Sequence, residues 1–435
     1  MIPTRTGLLQ VASAALLPLQ LLAQTPTTLT LDQAIVLGRV RGVTAALATL
    51  NVRIADARVG QRRADLLPSV TLGAGAIRQT LNLDEVGIAF ASGVTDPFTV
   101  WRFQASARET LFDASALARL HAARDSALVS GADARAVGEL TAATAGLTYL
   151  RALSADETVL AREADSAISA TLLGQARQRV DAGTSPAIDV TRSRTQLAAV
   201  RTQLEIARNQ RDRTLLDLTR ALDLPPETRI LLADSLGGSA RTPVTDADSA
   251  VAFALGHRLE VEAERGRTAV IARARKAIGL EYLPSLAVGG GYTQSGRDLG
   301  TLAGSYNLQF LVSVPLLDGL RRPARQQEQS ARLDAQRLRE HDVRRQVATE
   351  TRQSLLDMAS AELQVSLAGE RLQLAELELS QARDRFSAGV AGSVETTTAQ
   401  GGLIAARDGL IQARVSAAVA RLAVRRALGT LDQTP

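Results

Sequence analysis

The sequence predicts a tandem-duplicated chain with four long coiled-coil helical columns and four β-strands. The strands are built to enter a transmembrane β-barrel that several chains share. Three observations carry this expectation. Landmarks recur in one order at a near-constant offset, two Ala/Leu/Arg-rich runs are too long for a compact domain, and four short segments alternate apolar with small or polar residues.

The duplication comes first, because it organises the rest. "LLPSVTLGAG" (Leu66 to Gly75) matches "YLPSLAVGGG" (Tyr282 to Gly291), 216 residues later. "LFD" (Leu111 to Asp113) matches "LLD" (Leu316 to Asp318) at an offset of 205. The pairs Ala182-Gly183 and Ala388-Gly389 are 206 apart, as are the "RAL" runs at Arg220 and Arg426. The drop in offset places an insertion in the first copy, between Asn82 and Pro97. Residues 24–244 form the first repeat and 245–435 the second, with a Pro/Gly/Ser/Asp-rich linker ending the first.

Before the repeats, Arg5 precedes an apolar run from Gly7 to Leu22. With Ala23 and Gln24 following, residues 1–23 read as a secretory signal peptide cleaved between those two residues. No later apolar run approaches the roughly 20 residues of a spanning helix, so a membrane role requires strands. The chain has no cysteine, which excludes disulfides and zinc-thiolate sites. Its net charge of +5 is small, and arginines and acids are interspersed along the helical runs. Solvated helix faces explain that pattern, and it leaves no nucleic-acid footprint.

Each copy opens with a helix, for which Thr30 with Gln33 and Thr245 with Asp248 are candidate caps. Each opening helix is expected to run to Leu-Pro-Ser, since proline disfavours helix at the residue before it. Two strands follow. Trp101, Phe103, Ala105 and Ala107 alternate with Arg102, Gln104, Ser106 and Arg108; Tyr306, Leu308, Phe310 and Val312 alternate with Asn307, Gln309 and Ser313. An apolar lipid side and a polar lumen side fit a membrane barrel, and this parity assigns Arg102 and Arg108 to the lumen. Nine of the twelve aromatics lie in the two strand regions, as interfacial girdles require. Four strands cannot close a barrel, and open edges are not tolerated in lipid, so several chains must contribute.

Long helices then run from about Asp113 to Val180 and from about Asp318 to Ser387, each roughly 100 Å. Around the second bend a seam is readable: Val365, Ala368, Leu372, Ala375, Leu379, Ala382 and Phe386, returning through Leu403, Ala406, Leu410, Ala413, Ala417, Ala420, Val424 and Ala427. Steps of three and four, alternating large residues with alanine, specify a closely packed left-handed coiled coil. Gly183 and Gly389 supply left-handed helix ends at tips 181–187 and 387–393. Asp189 and Glu395 fall in the first turns of the return helices, where the helix dipole favours acids whether or not they have another task. Pro186 stiffens the first restart and Gly392 loosens the second, so the second hairpin is the better candidate to swing.

No phosphate loop, nucleophile elbow or metal spacing supports an enzyme or a cofactor, and His121, His257 and His341 are scattered on helices. In combination, the repeated Leu-Pro-Ser, strand pair, "LFD/LLD", long helix, Ala-Gly bend and the closing "RRALGTLD" (Arg425 to Asp432) resemble the TolC family of outer-membrane efflux factors. That resemblance implies a homotrimer with a shared 12-stranded barrel in outer-membrane lipid and an α-helical barrel forming a tunnel across the periplasm. It implies a passive exit duct of a tripartite efflux pump or a type I secretion system, with partners in a periplasmic adaptor (membrane fusion protein) and an inner-membrane pump of RND or ABC type. By the same likeness Gly183, Thr184, Ser185, Gly389, Val390 and Ala391 form adaptor-docking tips, and Asp189 and Glu395 face the pore as a periplasmic gate. The chain departs from better-known members at Ala391, Phe386 and Thr398, where an arginine, a tyrosine and an acid are common, so its latch must be built otherwise. The competing reading is an exported coiled-coil cell-envelope scaffold without transport.

Overall fold

The computed structural model describes residues 27–86, 93–236 and 246–431. The expected signal segment, with the expected cleavage between Ala23 and Gln24, and the expected cap Thr245 lie outside the described residues.

The first copy begins with β1 (Thr27–Leu29) and α1 (Leu31–Arg41), then α2 (Val43–Ala64), β2 (Ser69–Gln79), a single turn α3 (Leu83–Val86), and β3 (Phe98–Phe112). The column α4 (Ala114–Asp181) and its return α5 (Ala187–Ala221) form the first hairpin, and β4 (Ile230–Leu232) follows. The second copy repeats the plan as α6 (Ala247–His257), α7 (Leu259–Leu280), β5 (Ser285–Gly296), β6 (Ala303–Ser313), α8 (Arg321–Ser387) and α9 (Ser393–Leu428).

Local chemistry sets these boundaries. Thr30 and Gln33 form a reciprocal capping box at α1, as expected. At α6 the cap is instead Asp246, whose side chain accepts from the Ser249 amide at 3.1 Å. The single opening helix expected in each copy is in fact two. The first breaks at Gly42 and the second at Arg258, positions 216 apart. Arg258 is buried at its break, where it donates to Glu260 at 3.0 Å and to Glu350 at 3.1 Å. The repeated aspartate of "LFD/LLD" proves to be a helix-start device. Asp113 accepts from the Ser115 and Ala116 amides at 2.8 and 3.0 Å, and Asp318 accepts from the Arg322 amide at 2.9 Å.

One antiparallel sheet holds β2, β3, β5 and β6 in that spatial order, so β3 and β5 join the two copies and β2 and β6 are edges. Partners across an antiparallel ladder share a face. Leu72, Ala105, Tyr292 and Tyr306 therefore lie on one face, and so do Val288 and Phe310. Among the described residues nothing covers that face: Tyr306 and Phe310 are 86% and 75% exposed. The other face carries Thr71, Ser106, Gly291 and Asn307 in one rung.

The columns continue the order of the strands. Near the sheet, packing runs α2–α4–α7–α8; toward the bends it runs α5–α4–α9–α8. Arg267 to Asp133 and Arg273 to Asp125, both 2.5 Å, tie the upper part of α4 to α7. The second hairpin's seam is as expected, with Leu403, Ala406, Leu410, Ala413, Ala417, Ala420, Val424 and Ala427 all buried on α9.

The largest core lies at mid-height, where Leu29, Ile35, Tyr149, Leu218, Leu222 and Leu422 converge. At Gly38, any Cβ would collide with Ala145, which is how α1 reaches α4. The short parallel pair of β1 and β4 lies against this core. It is clasped by Tyr149, fully buried, whose hydroxyl donates to Leu29 O or Asp234 Oδ2 at 3.0 and 2.8 Å. Burial, reinforced by Asp234, pushes the phenol well above its ordinary range, so it stays a neutral donor. Replacing it by phenylalanine removes that buried hydrogen bond and the acceptor for the Asp234 amide, while Leu29 O keeps the Ala233 amide and Asp234 Oδ2 the Leu31 amide. Tyr149→Phe is expected to destabilise the protein by about 1–3 kcal/mol, read as a lower denaturant midpoint.

Candidate functional site at the two bends

Both bends use the same backbone device. In the first, Gly183 at φ +68° follows Ala182, the Gly183 amide donates to Val180 O at 2.9 Å, and the Thr184 amide reaches back to Arg179 O at 2.9 Å. In the second, Gly389 at φ +81° and Val390 donate to Phe386 O and Arg385 O, each at 3.1 Å. This six-to-one closure needs a left-handed residue, which glycine supplies without a Cβ penalty. Gly183, Thr184, Gly389 and Val390 are exposed, Ser185 and Ala391 half-buried. Val390, Ile188 and Val394 leave apolar side chains open at the tip.

Behind these exposed turns the two hairpins are tied together. Asp189, expected to face a pore, is 3% exposed and sits between the hairpins. Its carboxylate accepts from the hydroxyls of Ser185 and Ser393, the latter at 2.5 Å, with the Arg192 guanidinium 3.8 Å away. Oδ1 is thus held by Ser393 of the neighbouring hairpin and Oδ2 by Ser185 of its own, so in this conformation Asp189 ties the two hairpins together. Burial raises the Asp189 pKa, but the Ser185 and Ser393 hydroxyls more than offset it, so the carboxyl lies below its ordinary value.

A second tie lies beside it. The Arg179 guanidinium, from the last turn of α4, stands 4.6 Å over the centre of the buried Phe386 ring on α8. It also approaches Gly389, where an added Cβ would lie 3.3 Å from its nitrogen. Phenylalanine lacks a tyrosine's hydroxyl at this position, and its ring face holds the arginine. Glu395 behaves differently from Asp189. It is exposed and pairs with Arg385 of α8 at 3.0 Å, a contact inside one hairpin.

Above the tips the seam between α4 and α9 stays polar. Gln400 donates to Ser169 at 2.5 Å, Arg407 to Asp165 at 2.6 Å, and Arg162 to Asp165 at 2.8 Å and to Asp408. Asp165 is 1% exposed, so each of its oxygens has an arginine where water is excluded. Sequence reading missed Ser393, Arg179 and this ladder. Each joins residues about two hundred positions apart, and no local pattern signals such a pairing.

In the sheet, Arg102 pairs across to Gly75 and Ser295, and Arg108 to Ser69 and Gly289. Both arginines thus share the polar face with Gln104 and Ser106.

The sequence pattern of the outer membrane efflux protein family matches residues 44–223 and, a second time, residues 254–430. The chain belongs to that family. Family members are outer-membrane channels rather than enzymes, and membership places the helical columns on the periplasmic side of the outer membrane. Solved structures agree in fold. The Campylobacter jejuni CmeC outer membrane channel is 15% identical, with 92% of this chain and 85% of that one covered and a TM-score of 0.79. The outer membrane protein VceC of Vibrio cholerae is 16% identical over 92% and 96%, TM-score 0.77. The Neisseria gonorrhoeae MtrE outer membrane channel in its open state is 17% identical over 92% and 88%, TM-score 0.76. No curated protein matches in sequence at a significant level.

The tie at Asp189 has a defined pH response. A lowered folded-state pKa contributes stability that is complete above the unfolded value near 3.9, and is lost as pH falls below it. The protection of amides in 181–189 and 389–396, measured against their intrinsic exchange rate at each pH, is therefore expected to be constant between about pH 7 and 5, and to fall below about pH 4. Asp189→Ala should show the reduced protection at neutral pH.

Proposed function

We propose that three copies of this chain close into one exit duct, which serves a tripartite efflux pump or a type I secretion system. The observation that carries this reading is the four-stranded sheet, apolar on one face and open at both long edges. In lipid those edges must pair, and β6 of one copy meeting β2 of the next satisfies them with no change in the strand order. Three copies of four strands make a barrel of twelve, within the range of outer-membrane barrels.

The same head-to-tail step brings α8 against α2 near the membrane and against α5 below. Both sides carry exposed apolar stripes at heptad spacing: Leu356, Leu363, Leu367 and Leu374 on α8, and Val43, Leu47, Leu50 and Ile54 on α2. A monomer with such stripes would be poorly soluble; a ring buries them.

At the far end the exposed turns Gly183–Thr184–Ser185 and Gly389–Val390–Ala391 offer backbone and small apolar side chains to a periplasmic adaptor. An inner-membrane pump of RND or ABC type supplies the energy, while the duct opens and conducts. Asp189 with Ser393, and Arg179 with Phe386, hold the hairpins together in the resting state. Glu395, exposed and restrained only by Arg385, is the acid left to form a ring at the pore. An exported scaffold without transport has no use for an amphipathic sheet with two unpaired edges, and that reading is not favoured.

The mature protein is expected to purify from membranes only with detergent, as a species of three chains; a soluble periplasmic monomer would sink the channel reading. Leu363→Arg with Leu367→Arg should shift that species toward monomer on size exclusion. In planar bilayers Glu395→Gln should lower cation preference, because three carboxylates leave the pore while Arg385 stays. Unchanged selectivity would reduce Glu395 to a helix-start acid.

A further inference from the structure

The geometry points to an arginine track along the barrel wall that selects anionic cargo, molecules presenting carboxylate, sulfonate or phosphate groups. The inference rests on the reading that the polar face of the sheet is the lumen, and adds to it the charge class of what passes.

Three guanidinium groups follow the junction of the two copies. Arg108 and Arg102 occupy one face of β3, six residues or about 20 Å apart. Arg297, just beyond the end of β5, lies 4.3 Å over the ring of Phe98, which belongs by parity to the same face four residues beyond Arg102. The track thus extends over about 33 Å, comparable with the thickness of a bilayer core. A fourth strand arginine, Arg78, falls on the apolar face opposite Thr99, at the outer end where head groups lie.

What marks the track is a face that carries no acid. On the helices acids are interspersed with the arginines, and Arg162, Arg258, Arg267, Arg273, Arg322 and Arg325 are among those held by them. Among the described residues neither Arg102 nor Arg108 has a carboxylate partner, and no strand position on the polar face is an acid. Glu109 has the opposite parity, on the apolar face across from Val288. At the outer end the acids adjoining Arg297 and Phe98 in sequence are Asp298 and Asp96, both past the strand ends, and among the described residues neither forms an ion pair with Arg297.

The wall around these groups is also bare. Each arginine has a glycine opposite it on one side, Gly75 for Arg102 and Gly289 for Arg108, and only a small serine on the other, Ser295 and Ser69. Around Arg108 a concavity is lined by Gln104, Ser106, Gly289, Asn307 and Gln309, groups that donate hydrogen bonds without adding negative charge. A planar guanidinium fork beside amide and hydroxyl donors is suited to oxyanions. Three closed copies would line the barrel with nine such cations. Uncompensated charge of one sign in a pore with low-dielectric walls concentrates counter-ions, typically tenfold or more. At the tips, by contrast, Glu395 and Asp189 each have an arginine within 4 Å, so the acids there offset this bias less than their number suggests.

Because the chain has no cysteine, one introduced thiol reports locally. Gln104→Cys in the full mature protein, reconstituted in vesicles, is treated with an anionic and a cationic methanethiosulfonate, each rate normalised to that with a free thiol. The anionic reagent is expected to be favoured by about tenfold. Adding Arg102→Gln and Arg108→Gln should bring the ratio near one, and Arg102→Lys with Arg108→Lys should keep it. Raising salt to about 1 M, where the Debye length falls to about 3 Å, should collapse the ratio in the parent without any arginine change. Equal normalised rates in the parent at low salt overturn the anion track and leave the lumen reading standing. Reaction of Gln104→Cys with a lipid-soluble maleimide and neither aqueous reagent, while Phe103→Cys reacts with both aqueous reagents, overturns both.

Discussion

The unpaired backbone of two strand edges is the constraint on which the rest of the molecule depends. β2 and β6, each eleven residues long, have an outer edge with no partner among the described residues. Unsatisfied amides and carbonyls cost several kcal/mol each in hydrocarbon, so a lone sheet cannot reside there. A duplicated pair of hairpins doubles the strands a chain supplies without removing its edges; only cyclic repetition does. The order of the columns then follows. α2 runs into β2 and β6 runs into α8, so the helices that flank the chain are continuations of the strands that must pair. The helical wall inherits its neighbours from the sheet.

Duplication sets the plan and leaves room for each copy to do something different with it. Asp113 and Asp318 start the two columns in the same manner, and Gly183 and Gly389 end them in the same manner. At the breaks of the opening helices the copies diverge. Gly42 relieves one by having no side chain, while Arg258 holds the other through Glu260 and Glu350. The tip acids diverge as well: Asp189 is buried against the other hairpin, and Glu395 is exposed against its own. An acid six residues after each bend is a repeat in sequence and not in role.

This difference explains what could be read from the sequence and what could not. The strands, columns and bends were legible because each is written in a local period or a single residue type: two-residue alternation at Trp101–Arg108, heptad steps from Val365 to Phe386, glycine after alanine at the ends. The parity that separates Arg102 and Arg108 from Trp101 and Phe103 needed no coordinates either. The helix breaks were hidden because neither Gly42 nor Arg258 interrupts an apolar pattern. The placement of Asp189 was hidden because its partner Ser393 is 204 residues away, an unremarkable serine in an unremarkable first turn. Long-range polar pairing has no period to detect.

That pairing also bears on which parts of the tunnel can separate. Within the second hairpin the seam is mainly apolar: Leu379, Ala382, Ala399 and Leu403 pack together, so parting α8 from α9 there exposes hydrocarbon. Between the hairpins, below the mid-height core where Leu422 packs against α4, the polar contacts of α4 with α9 are Ser169 with Gln400, Asp165 with Arg407, and Arg162 with Asp408, with Ile168 as an apolar contact among them. Water can replace every one of these bonds, so much of the cost of parting them is returned by hydration. Each hairpin should therefore move as a unit against the other. The ties differ in strength along the seam. The doubly held Asp165 lies well inside the column, whereas Asp189 and Arg179 stand one turn from exposed loops. Separation begins at the bends and is resisted further up, which makes the Arg162–Asp165–Arg407 cluster the natural fulcrum. With Gly392 at the restart of α9 and Pro186 at that of α5, the backbone freedom needed for such a motion is concentrated in the second hairpin.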